Sequence, residues 1–550
     1  MASEWKPSMN LFVRLNKISH SAGSTYKKIN TLLGHFHCQL YLNASLLRRL
    51  QITPERIGLY GNDGFDLEIH AGHITITRHI DARFPLFFSV SPQTSIISND
   101  LFDFPRLQGK SDWDADYFAY YLFKGEAQTR ETPLRGVGKL FNGETLSILA
   151  NGQTRSCCQA ALDALWPAEA PGDIEVALRR SVRHHQDGRQ PLSLDFSGGL
   201  DSTALLLCAL DEQIPLQTLT LYDPDGCAPD DHRIACALSA KYRVTHRVID
   251  LARQPPLDLD EPVYAHHPSQ QFIGFGAERQ ILALHDDAAC THLNGHGGDH
   301  LFVANPLFES ALDLLLQGQF RAFGATLRTL ARFYAIPYAL AARTILEVWL
   351  RHSVRRDVCR PYWANAQSYH WRDWLQAEIA ARARAVHSYR HFIGSAARAP
   401  GAQMRAALFF QLAQEISHYR LRDIRSKLVY PFFQAGVMRC AFAYSDCATF
   451  DQANSRKPMR TALFAKYRES QLWRQSKGHT TSMTLRLLNQ SRNAIHELLR
   501  EGYLVGAGMA SWSGIERELR KVCLGIGGLS PCLMHALAIE VFMRQARRNS

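Results

Sequence analysis

A short turn rich in glycine and serine, residues 197–203, has the residue types and spacing best suited to chemistry in this chain. It follows the apolar run Leu192 to Phe196, and a helical pattern starts at Leu200. Glycines at a strand-to-helix turn let the backbone approach a phosphate, and the unpaired N–H groups of the new helix hold the anion. Serine hydroxyls add donors, and an aspartate is suited to Mg²⁺. The residues predicted to bind phosphate or metal here are Ser197, Gly198, Gly199, Asp201 and Ser202.

A plain polar turn is the alternative for this segment, and a Walker A loop is excluded because it contains no lysine. A second glycine turn strengthens the functional interpretation. Gly295, Gly297, Gly298 and Asp299 follow the strand-like run Thr291 to Leu293, about one hundred residues later and across a strand–helix pattern. Alone, this turn is weak evidence, but the two turns in this order predict one shared site.

A third segment, residues 454–481, is basic and polar. It contains Lys457, Arg474 and Lys477, the last in a Lys-Gly pair. A single Lys-Gly pair in a polar loop is usually solvated, but its position after the two glycine turns favours a role in binding phosphate.

The elements that must position these residues alternate between strand and helix. Strands are predicted at 192–196, 216–221, 244–251 and 291–293, and helices at 174–185, 200–210, 231–242 and 276–285. This alternation predicts a parallel sheet with ligand at the carboxyl ends of its strands. From Leu301 to about Arg425 the pattern is nearly all helical. Residues 1–165 instead show strands and turns, as at 36–40, 73–77, 84–90 and 145–149, and a linker is predicted at Pro167 to Gly172.

Composition restricts the partners and the compartment. The formal net charge of +11 suggests an anionic partner, such as nucleotide phosphates, nucleic acid or an acidic peptide. The basic residues are scattered and form no nucleic-acid module, so a solvated surface is favoured and nucleic acid is disfavoured. No apolar run reaches the length of a membrane span, about 18 residues, and the N-terminus lacks a secretory pattern. The twelve cysteines form no C-x-x-C pair, which predicts a cytoplasmic chain with neither a zinc site nor a disulfide framework.

The first turn resembles the S-G-G-x-D-S pyrophosphate loop of ATP pyrophosphatases of the asparagine synthetase type. The second resembles their S-G-x-G-G-D-E-L-F segment, with His300 in place of the glutamate. The resemblance implies an enzyme that cleaves ATP between the α and β phosphates and transfers AMP to a carbonyl or carboxylate oxygen. It also implies that Asp201 and Asp299 bind Mg²⁺ and that adenosine binds near Leu219 to Tyr222.

The third segment resembles the K-x-x-L-R-x-A-L and R-x-K-G elements of the same family. Lys477 matches the lysine that neutralises charge on the phosphates and on the tetrahedral intermediate. The resemblance therefore implies Lys477 and Lys457 as catalytic candidates and Arg474 as a phosphate contact.

The N-terminal run T-P-L-R-G-V-G-K-L-F-N-G-E-T-L resembles the glutaminase domain of asparagine synthetases, whose nucleophile is a cysteine at position 2. This chain has Ala2, so glutamine hydrolysis is expected to be absent. The implied fold is α/β and α+β: an inactive glutaminase-like (Ntn-type) sandwich over 1–165, and a parallel α/β ATP-binding domain with a helical extension over 172–550. The sandwich is then a scaffold or a surface that docks peptide.

Two groups in the family lack the cysteine: the β-lactam synthetases and the macrolactam cyclases of lasso peptide biosynthesis. Lys427 and Gln434 stand where the β-lactam enzymes carry a glutamate and an aspartate, which disfavours their Tyr–Glu base. A peptide α-amine has a pKa of about 8 and needs little help from a base. The resemblance therefore favours an ATP- and Mg²⁺-dependent lasso peptide cyclase, with a core peptide as substrate and a leader peptidase and a leader-binding protein as partners.

Three alternatives stay open at this point. One is a β-lactam synthetase-like or other small-molecule amide ligase, and another is an RNA-binding or tRNA-modifying ATP pyrophosphatase. The third is a scaffold without catalysis, which the intact phosphate loop disfavours. The aromatic residues Tyr362, Trp363, Tyr369, Trp371 and Trp374 suit either a peptide cradle or simple helix packing.

Overall fold

The computed structural model describes most of the chain, in segments. These are residues 9–15, 27–33, 36–42, 50–53, 56–60, 64–70, 72–104, 112–125, 129–157, 172–186, 191–224, 229–260, 265–284, 290–350, 374, 378–379, 382, 399–418, 427–475, 481–526 and 529–549. Within them, no helix combines the length and the apolar character that crossing a bilayer would require.

The N-terminal region forms two six-stranded sheets. In chain order the strands are β1 (Met9–Leu15), β2 (Lys27–Leu33), β3 (Phe36–Leu42), β4 (Leu50–Ile52), β5 (Arg56–Tyr60), β6 (Phe65–His70), β7 (His73–Arg78), β8 (Phe87–Val90), β9 (Thr94–Ser98), β10 (Gly138–Lys139), β11 (Thr145–Leu149) and β12 (Thr154–Cys157). One sheet has the order β10-β8-β9-β1-β3-β2 and the other β12-β11-β7-β6-β5-β4. The strand predicted at 84–90 begins only at Phe87, because Pro85 has no N–H to donate to a ladder.

Alternating apolar residues bring these two sheets together. In β6 the side chains of Phe65, Leu67 and Ile69 are buried while the residues between them are partly exposed. They share a core with Val13 of β1 and Ile97 of β9, which belong to the other sheet. This shared core is what a two-layer sandwich requires, and it agrees with the predicted fold class.

The second half of the chain contains a five-stranded parallel sheet. Its strands are β13 (Leu192–Asp195), β14 (Leu216–Tyr222), β15 (Thr245–Asp250), β16 (Thr291–Leu293) and β17 (Lys427–Val429), in the order β15-β14-β13-β16-β17. The predicted parallel sheet is confirmed. Since β13 pairs with β14 on one side and with β16 on the other, the strand order reverses there, and a crevice opens beyond the carboxyl ends of β13 and β16.

Helices cover this sheet and extend it. They are α1 (Ala115–Lys124) near the sandwich, then α2 (Ile174–His184), α3 (Leu200–Asp211), α4 (Pro229–Lys241), α5 (Phe275–Ala283), α6 (Gly298–Leu301), α7 (Phe308–Leu316), α8 (Phe320–Phe333), α9 (Tyr338–Leu350), α10 (Pro400–Ile416), α11 (Ala435–Phe442), α12 (Lys457–Tyr467), α13 (Thr481–Gln490), α14 (Arg492–Arg500), α15 (Tyr503–Gly506), α16 (Trp512–Cys523) and α17 (Pro531–Asn549). The helical pattern predicted from Leu301 to about Arg425 includes α7 to α10, while most of 351–398 lies outside the described residues. The largest core joins β13 and α3 to α10 and α11, while another packs α1 against α16 and α17.

Side chains fill the boundary between the sandwich and the parallel-sheet domain. Arg83 donates to the carbonyl oxygens of Ile416 and Leu428, each at 2.8 Å. A cavity of only about 40 Å³ remains there, which we call the boundary pocket. Its lining includes Arg78, Phe87, Lys139, His267 and Gln414.

Candidate active site

A cavity of about 800 Å³ lies at the carboxyl ends of β13, β14 and β16, where the strand order reverses. Both glycine turns line it, together with the end of β14, the start of α4, and Ala453, Ser455, Arg456, Arg460, Arg474 and Gln475. We call it the sheet-edge cavity. The fold thus brings together segments that lie up to about 290 residues apart in the chain, between Asp195 and Met483.

The first glycine turn presents the N-terminus of α3 to this cavity. Gly199 caps the helix in extended conformation, and Gly198 has φ +67°, a region that favours glycine. A Cβ on Gly198 would also come within 2.9 Å of Ile234 Cγ2. Ser197 and Ser202 have their hydroxyl oxygens 3.4 Å apart. Free backbone N–H groups at a helix start, flanked by hydroxyls, make an anion site.

The second glycine turn packs directly on the first. Asn294 Nδ2 donates to Asp195 Oδ2 at 2.8 Å, which ties the ends of β16 and β13 together. A Cβ on Gly298 would clash with the carboxylate of Asp201, so only glycine allows the turns to approach this closely. The approach brings Asp299, in the first turn of α6, beside Asp201.

Arg456 lies between these two aspartates. Its Nη1 is 2.9 Å from Asp201 Oδ2 and 2.6 Å from Asp299 Oδ1. Burial alone would lower the pKa of Arg456, but attraction to Asp201 and Asp299 outweighs it and the pKa is raised. Arg456 caps α12 with φ +55°, a left-handed conformation that is costly for arginine.

The pair of aspartates fits a magnesium ion. Asp201 and Asp299 supply carboxylate oxygens that already converge on one cationic nitrogen. Hard oxygen ligands of this kind, with a substrate phosphate completing the shell, are what Mg²⁺ usually takes in proteins.

The end of β14 and the start of α4 form the other wall. The rings of Tyr222 and His232 lie 4.5 Å apart, centroid to centroid, and Leu219 is buried beside them. Arg474 forms an ion pair with Asp231. An aromatic and apolar wall with charges at its edge suits a nucleoside whose phosphates point toward the glycine turns.

Most of the residues predicted from the sequence meet in this cavity. Its lining includes Ser197, Gly199, Asp201, Ser202, Leu219, Tyr222, Gly297, Asp299 and Arg474. Gly198 and Gly298 lie within the same turns. Their roles stay predictions, but their placement together is what the sequence analysis expected.

The two catalytic candidates differ from this group. Lys457 begins α12 with its side chain 48% exposed and 3.6 Å from Asp451, and it is not in the lining that the described residues form. Lys477 lies in 476–480, outside the described residues. Both assignments stay predictions.

Sequence reasoning missed two arginines in the cavity wall, Arg456 and Arg460. They stand four residues apart in R-K-P-M-R, but only Arg460 lies within α12, since Arg456 is the N-cap with a left-handed backbone. Arg460 donates to the carbonyl oxygens of Ser455 and Arg474, at 2.9 and 3.0 Å. Burial, helped by Arg456, lowers the pKa of Arg460 to about 10, so it remains a cation at neutral pH. Helical spacing therefore gave no signal for Arg456, and the resemblance drew attention to Lys457.

His296 is a further lining residue that the sequence did not single out. Its Nε2 lies 2.6 Å from Glu415 Oε2, and His300 Nε2 lies 3.6 Å from the same oxygen. Burial raises the pKa of Glu415, but hydrogen bonds from His296 and His300 outweigh this and hold it well below its usual range. An imidazole oriented by a carboxylate at a cavity wall can transfer protons.

Comparison with known families agrees with this geometry. The family described as asparagine synthase matches residues 173–522, more than half of the chain. The chain belongs to the asparagine synthase family. That family consists of ATP-dependent carbon–nitrogen ligases and generally uses Mg²⁺, which suits the paired aspartates and the glycine turns. No curated protein matches the chain. The match does not reach the sandwich, so the glutaminase resemblance and the boundaries 1–165 and 172–550 stay predictions.

Proposed function

We propose that the protein is an ATP-dependent lasso peptide cyclase. It adenylates the side-chain carboxylate of an Asp or Glu in a core peptide, and the N-terminal amine of the peptide then attacks to form an isopeptide macrolactam. The products are the ring, AMP and pyrophosphate. The proposal rests on one observation: both glycine turns, with Asp201 and Asp299, lie at a single cavity. The chain that forms this cavity belongs to a ligase family.

We assign each residue of the cavity a role from its position. The N-terminus of α3, with Ser197 and Ser202, binds the β and γ phosphates, and Arg456 and Arg474 offset their charge. Asp201 and Asp299 would hold Mg²⁺, which when bound neutralises phosphate charge. Each preorganised electrostatic contact to a developing charge is typically worth about 10²–10³ in rate. Lys477 is assigned to the tetrahedral state.

Substrate size and nucleophile favour a peptide. The sheet-edge cavity, at about 800 Å³, is near the upper end of the range of about 300–1,000 Å³ for small-ligand sites, so it has room for a nucleotide and part of a second substrate. Ala2 cannot provide the thiol nucleophile for releasing ammonia from glutamine. An amine within the substrate then becomes the nucleophile, and we propose that His296, which lines the cavity, accepts its proton.

The proposal includes partner proteins and a cellular location. A cyclase of this kind acts on a precursor peptide after a leader peptidase has freed its first amine, with a leader-binding protein assisting. We propose a cytoplasmic location, where ATP and Mg²⁺ are supplied.

The direct test is conversion of synthetic core peptides with ATP and Mg²⁺. We expect a product lighter than the linear peptide by one water, formed together with AMP and pyrophosphate. The matched control is the same peptide acetylated at its N-terminus, which should still be adenylated but cannot close a ring. Lys477→Ala should leave the linear peptide unconverted. Release of ADP instead of AMP would refute the proposal.

A small-molecule amide ligase is the competing function within the family. It predicts turnover of short β-amino or amino-acid substrates and none of peptides. The residue in the position of the β-lactam base is Lys427, which is exposed in β17, and this disfavours that chemistry. The RNA-binding alternative rests on the charge of +11 alone and predicts a steep dependence of RNA affinity on salt concentration.

A further inference from the structure

A group of metal-ligand side chains lies where α4 crosses β14 and β15, apart from the paired aspartates. His232 and Cys236 stand four residues apart on α4 and therefore share one helix face. His246 faces them from β15. One nitrogen or sulfur atom from each of the three lies within 4.8 Å of the others.

The hydrogen bonds of His246 leave one ring nitrogen for a ligand. Its Nδ1 is 2.9 Å from Thr218 Oγ1, and the Thr218 hydroxyl can donate to the carbonyl oxygen of Thr245 at 3.3 Å. Ser239 Oγ lies 3.0 Å from Thr218 Oγ1 and 3.3 Å from the same Nδ1. In the tautomer in which Nδ1–H donates to these hydroxyls, the lone pair of His246 is on Nε2. The Nε2 atom is buried and has no hydrogen-bond partner among the described residues.

Histidines that bind metals are commonly arranged in this way, since the hydrogen bond at the far nitrogen fixes the tautomer. A neutral imidazole is the form that coordinates a metal.

The distances suit a tetrahedral ion. Cys236 Sγ lies 3.6 Å from Nδ1 and 3.7 Å from Nε2 of His232, so the His232 ring must turn until one of these nitrogens points at the ion. Tetrahedral zinc, with bonds of about 2.3 Å to sulfur and about 2.0 Å to nitrogen, separates these two ligand atoms by roughly 3.5 Å. One thiolate and two imidazoles select Zn²⁺ over Mg²⁺, which prefers oxygen.

We propose that His232, Cys236 and His246 form a zinc-binding site on the β14–α4–β15 unit. Three protein ligands leave a fourth position open, and His232 also lines the sheet-edge cavity against Tyr222. The ion would pin α4 to β15 and fix the orientation of His232 at the nucleoside wall. The site stands independently of the peptide cyclase function. Sequence reasoning missed it because it looked for C-x-x-C pairs, whereas these ligands come from two elements.

Cobalt substitution in the full-length protein tests the site directly. The chelator-treated protein, kept reduced without thiols, is titrated with Co²⁺. We expect a thiolate-to-cobalt charge-transfer band and tetrahedral visible bands that saturate at one equivalent and disappear when Zn²⁺ is added. Absence of the charge-transfer band in the wild-type protein would overturn the proposal.

Variants identify the ligands. Cys236→Ser keeps the size of the side chain and should lose the charge-transfer band, with circular dichroism confirming that the fold is retained. Cys440→Ser is the matched control, because Cys440 is also partly exposed but belongs to no such group within the described part of the chain. A band that persists in Cys236→Ser, or that Cys440→Ser abolishes, contradicts the assignment.

The histidine ligand is tested by affinity. His246→Ala should bind Zn²⁺ at least about 100-fold more weakly, since losing only the hydrogen-bond partner of a ligand costs roughly 10–100-fold. His496→Ala, which alters a partly exposed histidine of α14, should leave Zn²⁺ affinity unchanged. Zn²⁺ should also raise the Tm of the wild-type protein, and Cys236→Ser should lose that increase. Equal Zn²⁺ affinity in His246→Ala and the wild-type protein would remove His246 from the site.

Discussion

The sheet-edge cavity and the boundary pocket both contain charged side chains beside apolar cores, yet they differ about twentyfold in volume, at about 800 and 40 Å³. Glycine turns border the first, so its charges converge on open space. Long side chains fill most of the boundary pocket and donate hydrogen bonds to one another or to the backbone. There, Lys139 donates to Gln414 Oε1 at 3.1 Å, and Arg78 donates to the carbonyl oxygen of Leu140 at 2.7 Å. The comparison shows that space bordered by glycine, more than the presence of charge, distinguishes a site for a ligand from a sealed interface.

The largest expected effect is on catalysis at the cavity. Asp201→Asn keeps the shape of the side chain but removes the charge that faces Arg456 and the proposed ion. We expect AMP formation to fall by about 10²–10³. The measurement is AMP release at saturating ATP. Asp451→Asn, outside the cavity lining, is the control and should keep its rate. Wild-type turnover by Asp201→Asn would show that the cavity is not the reaction site.

A second change tests whether Arg456 holds the two carboxylates in the free protein. Arg456→Ala leaves Asp201 and Asp299 close together without their cation. Breaking a fully buried pair costs roughly 3–5 kcal/mol, and this partly exposed group should cost less. We expect a lower Tm that Mg²⁺ partly restores, because Mg²⁺ would bind the same oxygens. The comparison is Tm with and without Mg²⁺ in variant and wild type. If Mg²⁺ changed the Tm of both proteins equally, this would contradict the idea that Arg456 and Mg²⁺ bind the same carboxylate oxygens.

At the boundary pocket, we expect an effect of pH on the free energy of unfolding. Burial, and then the nearby charge of Arg78, lowers the pKa of Lys139 to about 7 from its ordinary 10.5. Between these values the unfolded chain binds more protons than the folded one, so Lys139 makes stability rise as pH increases from about 7 to about 10.5. Lys139→Met should lose this part of the pH dependence. The free energy of unfolding, measured in urea at about pH 7 and about pH 9, gives this pH dependence. The same pH dependence in Lys139→Met and in the wild-type protein would argue against a buried neutral lysine.

The smallest expected effect is at Lys457. Its partner Asp451 is 3.6 Å away and both are substantially exposed, so Lys457→Ala should cost less than about 1 kcal/mol of stability. From its position we expect a smaller loss of AMP formation than for Arg456→Ala. Rate assays on the two variants side by side decide this. A loss as large as that of Asp201→Asn would instead support the catalytic role implied by the family resemblance.

The sequence predicted the parts of the fold that depend on local pattern. The alternation of strands and helices from Ile174 to Leu293 located the parallel sheet, and the reversal of strand order then had to bring Asp201 and Asp299 to one edge. Helix and strand bounds differed by a few residues where a local feature intervened, as Pro85 did at the start of β8.

Contacts between elements that are distant in the chain were beyond the sequence. The left-handed backbone of Arg456 turns that residue toward the aspartates, while the next residue, Lys457, pairs with Asp451 instead. Nothing in the sequence R-K-P-M-R shows which of Arg456 and Lys457 faces the aspartates. His246 likewise meets His232 and Cys236 only through the register that sets it opposite Thr218.

The position of Arg456 has a consequence for the order in which ligands arrive. This guanidinium is a counter-ion to Asp201 and Asp299 that belongs to the chain itself. A bare divalent ion must displace it without offering it another partner. A triphosphate arriving with its metal supplies that partner, because the arginine can transfer from the carboxylates to phosphate oxygens. If the proposed function holds, we therefore expect Arg456 to disfavour binding of metal alone and to couple the binding of metal to that of nucleotide.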